Sequence, residues 1–221
     1  MMRAVRMEQY RVLAKLLLVG AIVLARAAAG QEVAPTNAAP AAAMAPAPEV
    51  VKVVMHTAQG DIHLDIEKGR APITAGNFLR YVDQKRFDNI VFYRAMKLDE
   101  AGKYGLVQGG LRGDPKRVYP AIAHEPAAAT GLSHVNGAIS MAQAKPGTAT
   151  ADFFIIIGDL PALDGKNTPE EPGYAVFGRV TDGMDVVKAI LELPRSETAG
   201  EGVMKGQMLS DPVKVLTVRR E

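Results

Sequence analysis

The sequence predicts a mainly β domain: a closed antiparallel barrel of about eight strands, capped by two α-helices. Three observations over residues 50–221 point there. Short apolar runs of strand length recur between Gly-, Pro- and Asn-containing turns. Only two stretches carry helical spacing, one near each end. Strands and helices do not alternate regularly, which disfavours a parallel α/β sheet. The span is within the size of a single domain.

In order, VVKVVMHT (50–57) and DIHLDIE (61–67) are strands joined by the turn AQG, with Ile62, Leu64 and Ile66 on one face. That is a hairpin. After Pro72, Thr74 caps a helix running to about Lys85, with Phe78, Tyr81 and Val82 along one side. VFYRAM (91–96) and GLVQG (105–109) are short strands, followed to about residue 136 by a loop rich in Gly, Pro and Ala. GAISMAQ (137–143), DFFIIIGD (152–159) and YAVFGRV (174–180) are three further strands, the middle one apolar enough to be buried on both faces. GMDVVKAILEL (183–193) is an amphipathic helix, and KVLTVRR (214–220) closes the domain as a strand.

One strand contains a misfit. Read with a period of two, VFYRAM puts Phe92, Arg94 and Met96 on one face and Val91, Tyr93 and Ala95 on the other. A guanidinium is always charged and offers five donors with no acceptor, so its place between two large apolar neighbours needs a reason. A purely structural one is available: Arg94 snorkels from an outer barrel face and pairs with Asp152.

The first fifty residues differ from the rest. A basic stretch (1–15) precedes the ten-residue apolar run LLLVGAIVLA (16–25) and the small-residue run AAAG. This order is that of a secretory signal, assigned to residues 1–29, and the expected location is periplasmic or secreted. Ten apolar residues give only about 15 Å of helix against a hydrocarbon core of about 30 Å, so no stable membrane span is expected after cleavage. Residues 30–49 are mostly Ala and Pro, a semi-extended linker ahead of the domain at 50–221. Removing residues 1–29 takes five of 26 basic side chains (Arg3, Arg6, Arg11, Lys15, Arg26) and one of 24 acidic ones (Glu8), leaving 21 against 23. The basic excess belongs to the targeting segment, and nothing suggests nucleic acid as a partner. There is no cysteine, so disulfides and thiol chemistry are excluded.

Motifs for nucleophilic, phosphate-binding and zinc chemistry (G-x-S-x-G, G-x-x-x-x-G-K-[ST], H-E-x-x-H) do not occur. His56, His63, His124 and His134 lack ligand spacing and read as surface or core histidines; no metal or cofactor is expected. Ser133–His134 has no evident third partner in sequence. Arg112-Gly113-Asp114 is a chance tripeptide, and Glu170–Glu171 reads as a solvated loop pair.

What remains is an ordered set around Arg94: FYRAM, LVQGG (106–110), GAISMAQA (137–144), FFIIIGD (153–159), LDGKN (163–167) and YAVFGRV (174–180). Together these resemble the cyclophilin-type peptidyl-prolyl cis/trans isomerases over roughly residues 50–220. The resemblance implies an eight-stranded barrel with a groove on its outside, no cofactor, and proline-containing polypeptides, unfolded or exported, as partners of a monomer. Carried over position by position, it implies Arg94 and Gln108 as catalytic. It further implies Leu106, Ala142, Gln143, Asp152, Phe154, Leu163 and Tyr174 as substrate-binding, with backbone groups near Ala142 holding the substrate amide and carbonyl. A non-catalytic module that holds proline segments is the alternative left open by sequence.

Several positions depart from the family's pattern. KLDEAGKYG (97–105) lengthens the connection between Arg94 and Gln108 and puts Gly105 at an aromatic wall position, for which Tyr104 or Leu106 compensates. Asp152 replaces a glutamine, Gln143 an asparagine, and Ala162 a tryptophan of eukaryotic members. NTPEEPG (167–173) is a second insertion before Tyr174.

Overall fold

The computed structural model describes residues 49–221 except 167 and 169. The signal segment assigned to 1–29 and the linker up to residue 48 lie outside the described residues. The strands are β1 (Val50–Thr57), β2 (Gly60–Glu67), β3 (Ile90–Lys97), β4 (Gly105–Gly110), β5 (Ala138–Met141), β6 (Phe153–Ile157), β7 (Ala175–Asp182) and β8 (Met208–Arg220). They close into an antiparallel barrel in the order β1-β2-β7-β5-β6-β4-β3-β8, so no sheet edge is left open. The helices are α1 (Pro72–Asp83), the single turn α2 (Ala127–Thr130) and α3 (Met184–Glu192). The predicted barrel with two long helices is the observed one; α2 lies inside the stretch read as loop.

The barrel interior is built by Phe78, Phe87, Phe92, Phe153 and Phe177. Phe78 meets Phe87, Phe153 and Phe177 with ring centroids 5.1, 5.7 and 5.1 Å apart, mixing tilted and edge-on contacts that aromatic quadrupoles favour. Phe78, Tyr81 and Val82 supply the buried face of α1, as their spacing predicts.

Two local expectations are corrected. The α1 helix begins at Pro72, whose fixed φ suits the first helical position, so Thr74 lies inside the first turn and does not cap it. The cap comes from a loop half a domain away: the Glu125 carboxylate accepts from the backbone N–H of Ile73 at 3.1 Å and of Thr74 at 2.6 Å. A negative charge there also complements the helix dipole. The last strand starts at Met208 rather than near residue 214. Ser-Asp-Pro reads as a turn, but Pro212 falls within the irregularity where five residues of β8 pass two of β3, a place where the ladder needs no donor.

Candidate functional site

The misfit in VFYRAM is resolved by register. Phe92 pairs with Gly109 and Arg94 with Gln108, so Tyr93 is an extra residue in β3. This β-bulge breaks the two-residue period. Phe92 and Ala95 enter the core while Arg94 and Met96 turn outward, which corrects the expectation that Phe92 shares a face with Arg94.

From Arg94 the ladder runs straight across four strands: Arg94 opposite Gln108, Gln108 opposite Phe154, and Phe154 opposite Ser140. Side chains of directly paired residues share a face, so these four form one row on the outside of the barrel. A second row, Met96–Leu106–Ile156, runs beside it. Leu106 is therefore buried on the groove side, whereas Tyr104 is 46% exposed and leans on Gly158, and does not replace the missing wall. Gly105 faces inward: a Cβ there would come within 2.5 Å of the Met96 carbonyl oxygen.

Arg94 is tightly held. Its Nε and Nη2 donate to Gln207 Oε1 at 2.8 and 2.6 Å, its Nη1 donates to Gln108 Oε1 at 2.8 Å, and Nη2 also meets Met96 Sδ at 3.6 Å. Those four bonds leave one N–H, on Nη1, from a five-donor fork. The pairing with Asp152 weighed from sequence is not made. Burial pulls the Arg94 pKa down from its ordinary value, opposed by the Tyr93 and Tyr174 phenols, and the group stays cationic.

Gln108 in turn donates through Nε2 to the Tyr93 hydroxyl at 2.7 Å. Burial, and after it the Asp152 charge, pushes the Tyr93 phenol far above its usual range, so it stays neutral. Asp152 accepts from the Arg112 backbone N–H at 2.9 Å. The Ala142 N–H donates to the Asp152 carbonyl at 2.8 Å, so among the backbone groups near Ala142 this amide is engaged within the barrel.

The apolar side of the groove is Phe154, Tyr174 and Leu163. Phe154 and Tyr174 pack edge to face at 5.4 Å, and the Tyr174 N–H donates to the Leu163 carbonyl at 2.9 Å. Gln143 reaches over this side, its Nε2 donating to the Gly173 carbonyl at 3.1 Å while its buried Oε1 has no partner. Ala162 is exposed on the 3-10 turn Pro161–Asp164 that carries Leu163.

Behind Phe154 stands a strut that also corrects the sequence reading. His134 is fully buried, stacked on Phe154 at 6.0 Å; its Nδ1 bonds Asp164 at 2.5 Å and its Nε2 bonds the Ser140 hydroxyl at 3.0 Å. Ser133 donates to the other Asp164 oxygen, so Ser133–His134 does have a third partner. Ser140–His134–Asp164 has the connectivity of a hydrolytic triad, but Ser140 is wholly buried and no acyl group reaches it. The strut instead ties the Leu163 turn to β5. Burial pushes His134 down, against the pull of Asp164; for Asp164 burial acts upward, yet the bonds from Ser133 and His134 outweigh it and hold the carboxyl low.

Gln207, Tyr93 and Asp164 were not legible as site residues. Gln207 sits in a Gly-rich, turn-like stretch far from Arg94 in sequence, and nothing local marks it.

A family model described as "Cyclophilin type peptidyl-prolyl cis-trans isomerase/CLD" matches residues 52–219, nearly all of the described chain. The chain belongs to the cyclophilin family. A peptidyl-prolyl cis-trans isomerase of Acinetobacter baylyi is 33% identical over 168 residues, 76% of this chain and 84% of that one. One of Streptomyces antibioticus is 35% identical, with 67% of this chain and 87% of the relative covered. Peptidyl-prolyl cis-trans isomerase B of Escherichia coli is 33% identical, covering 62% and 82%. Among solved structures, a Cryptosporidium parvum cyclophilin-type isomerase superposes with a TM-score of 0.58 at 21% identity, covering 78% of this chain and 98% of that one. The same parasite protein has been solved in the presence of the dipeptide Ala-Pro. Among the described residues of this cyclophilin, no cluster of three or more His, Asp or Glu side chains suited to a metal occurs, and no helix is long and apolar enough to cross a membrane.

Proposed function

We propose that this cyclophilin accelerates cis/trans exchange of X–Pro bonds in exported polypeptides, with Arg94 as the group that acts on the rotating amide. The X–Pro bond turns slowly because resonance gives it double-bond character, and a catalyst need only bind the twisted amide better than either planar form. On twisting, the prolyl nitrogen becomes pyramidal and gains a lone pair. A guanidinium with four N–H groups committed to the protein and one remaining is suited to meet that lone pair without searching. Phe154, Leu163 and Tyr174 offer the apolar surface for the proline ring, and Gln108 a carboxamide for the peptide backbone. A thousandfold acceleration needs about 4 kcal/mol of selective stabilisation, within reach of one charge-assisted hydrogen bond and a shaped pocket.

The row Arg94–Gln108–Phe154 carries this reading. The signal-like segment at 1–29 supports action in the periplasm or outside the cell, and a barrel without an open edge supports a monomer. Exchange spectroscopy on an Ala-Pro tetrapeptide with the full chain and with Arg94→Ala tests it. Wild type is expected to speed exchange and Arg94→Ala to lose about ten- to hundredfold in kcat/KM, the value of a hydrogen bond to a charged group. Binding without faster exchange would make the protein a non-catalytic holder of proline segments.

A further inference from the structure

Resting on the prolyl-peptide reading of the groove, we propose that Asp152 makes this cyclophilin select peptides with a lysine or arginine within two residues of the proline. Asp152 lies two residues before Phe154, and the backbone bond from Ala142 to its carbonyl continues the β5–β6 ladder one step past the Met141–Phe153 pair. It therefore stands on the same outer face as Phe154, one side-chain step along the groove.

Its lateral neighbours are both small. On one side is Gly110, where an added Cβ would come within 2.2 Å of Asp152 Oδ1. On the other is Ala142, which contributes a methyl group. Beside the tall Arg94–Gln108–Phe154 row there is thus a low row, Gly110–Asp152–Ala142, in which a carboxylate is the largest side chain. A peptide whose proline ring rests on Phe154 lays its flanking residue along this slot.

The carboxylate there has no cation in contact. Among the described residues, no Lys, Arg or His nitrogen lies within 4.0 Å of it, although eleven such ion pairs occur elsewhere. It is met by neutral or backbone donors, the Arg112 N–H at 2.9 Å together with the Leu111 N–H and the Tyr93 hydroxyl. The groups facing it are the Tyr93 phenol, held neutral, and the Arg112 guanidinium, which lies over the Tyr93 ring at 5.2 Å. Burial pushes the Asp152 carboxyl up, opposed by the Arg112 backbone bond and charge, so charge at this site is costly and a substrate ammonium relieves that cost.

The test measures kcat/KM by exchange spectroscopy for Ac-Lys-Ala-Pro-Ala-NH2, Ac-Ala-Ala-Pro-Lys-NH2 and their glutamate counterparts, using the full chain. At least one lysine peptide is expected to exceed its glutamate counterpart by about fivefold or more at low salt, the worth of a unit-charge contact at water-like screening. The ratio is expected to shrink with added salt. Asp152→Asn keeps an acceptor for the Arg112 N–H and is expected to bring the ratio near one. Arg112→Gln removes the competing cation and is expected to widen it, which keeps the test decisive if the first variant folds poorly. Equal rates for lysine and glutamate peptides overturn the selectivity while leaving the isomerase reading intact. A ratio unchanged in Asp152→Asn also overturns it. Failure to accelerate any of the four overturns both.

Discussion

Replacing Gln207 by alanine removes the acceptor that orients Arg94 without touching the groove. Gln207 Oε1 takes both Nε and Nη2 of the guanidinium, and its own Nε2 is anchored on the Val203 carbonyl at 2.7 Å. Two hydrogen bonds from a charged donor are worth about 1.5–3 kcal/mol each when fully formed. Arg94 is only partly buried, and water replaces some of that. We expect a loss of about 1.5 kcal/mol in transition-state stabilisation, or roughly tenfold in kcat/KM. The fall should sit in kcat, because Phe154, Leu163 and Tyr174 still bind the ring. The assay is exchange spectroscopy over a peptide concentration series, on wild type, Gln207→Ala, Arg94→Ala and the double variant. In the Arg94→Ala background the Gln207 substitution should cost nothing further, since the group it orients is gone. Equal penalties in both backgrounds would falsify the idea that Gln207 works through Arg94.

Three further outcomes follow from the structure. Glu125→Ala should lower stability by about 1–2 kcal/mol in urea unfolding, the cost of an N-terminal helix cap, although Glu125 is remote from α1 in sequence. Gly105→Ala should lose about 1–3 kcal/mol by overpacking against the Met96 carbonyl and Leu191, measured the same way. His134 is held neutral in the fold below its ordinary pKa, so the unfolded chain binds the extra proton first. Its contribution is therefore full above about pH 6.5 and is lost as pH falls below that value. Thermal melts from pH 7 to 5 should show a decline that His134→Gln flattens.

The barrel was legible because period-two runs, turn residues and two amphipathic helices agree with one another, and each strand predicted from the pattern is present. The positions Arg94, Gln108 and Phe154 were legible through a resemblance in which six weak motifs occur in order. The supports of the site were not. Gln207 lies in a segment whose Gly and Ser content reads as featureless loop, and Asp164 was visible only as part of LDGKN, with no sign that it faces His134. Thr74 looked like a cap because Thr-rich helix starts favour one; Pro72 moved the start, and a carboxylate from another loop took the role. Long-range partners leave no local trace in a sequence.

The extra residue at Tyr93 has a consequence for anyone rebuilding or transplanting the groove. One unpaired backbone unit decides whether position 94 meets solvent or the packed aromatic interior. Were Tyr93 paired in regular register, Arg94 would fall on the same face as Phe92 and the cation would turn inward, with every letter of the motif retained. Grafts onto other barrels must therefore copy the count of residues between strand partners, and matching the alphabet alone would deliver a charge to the wrong side of the wall.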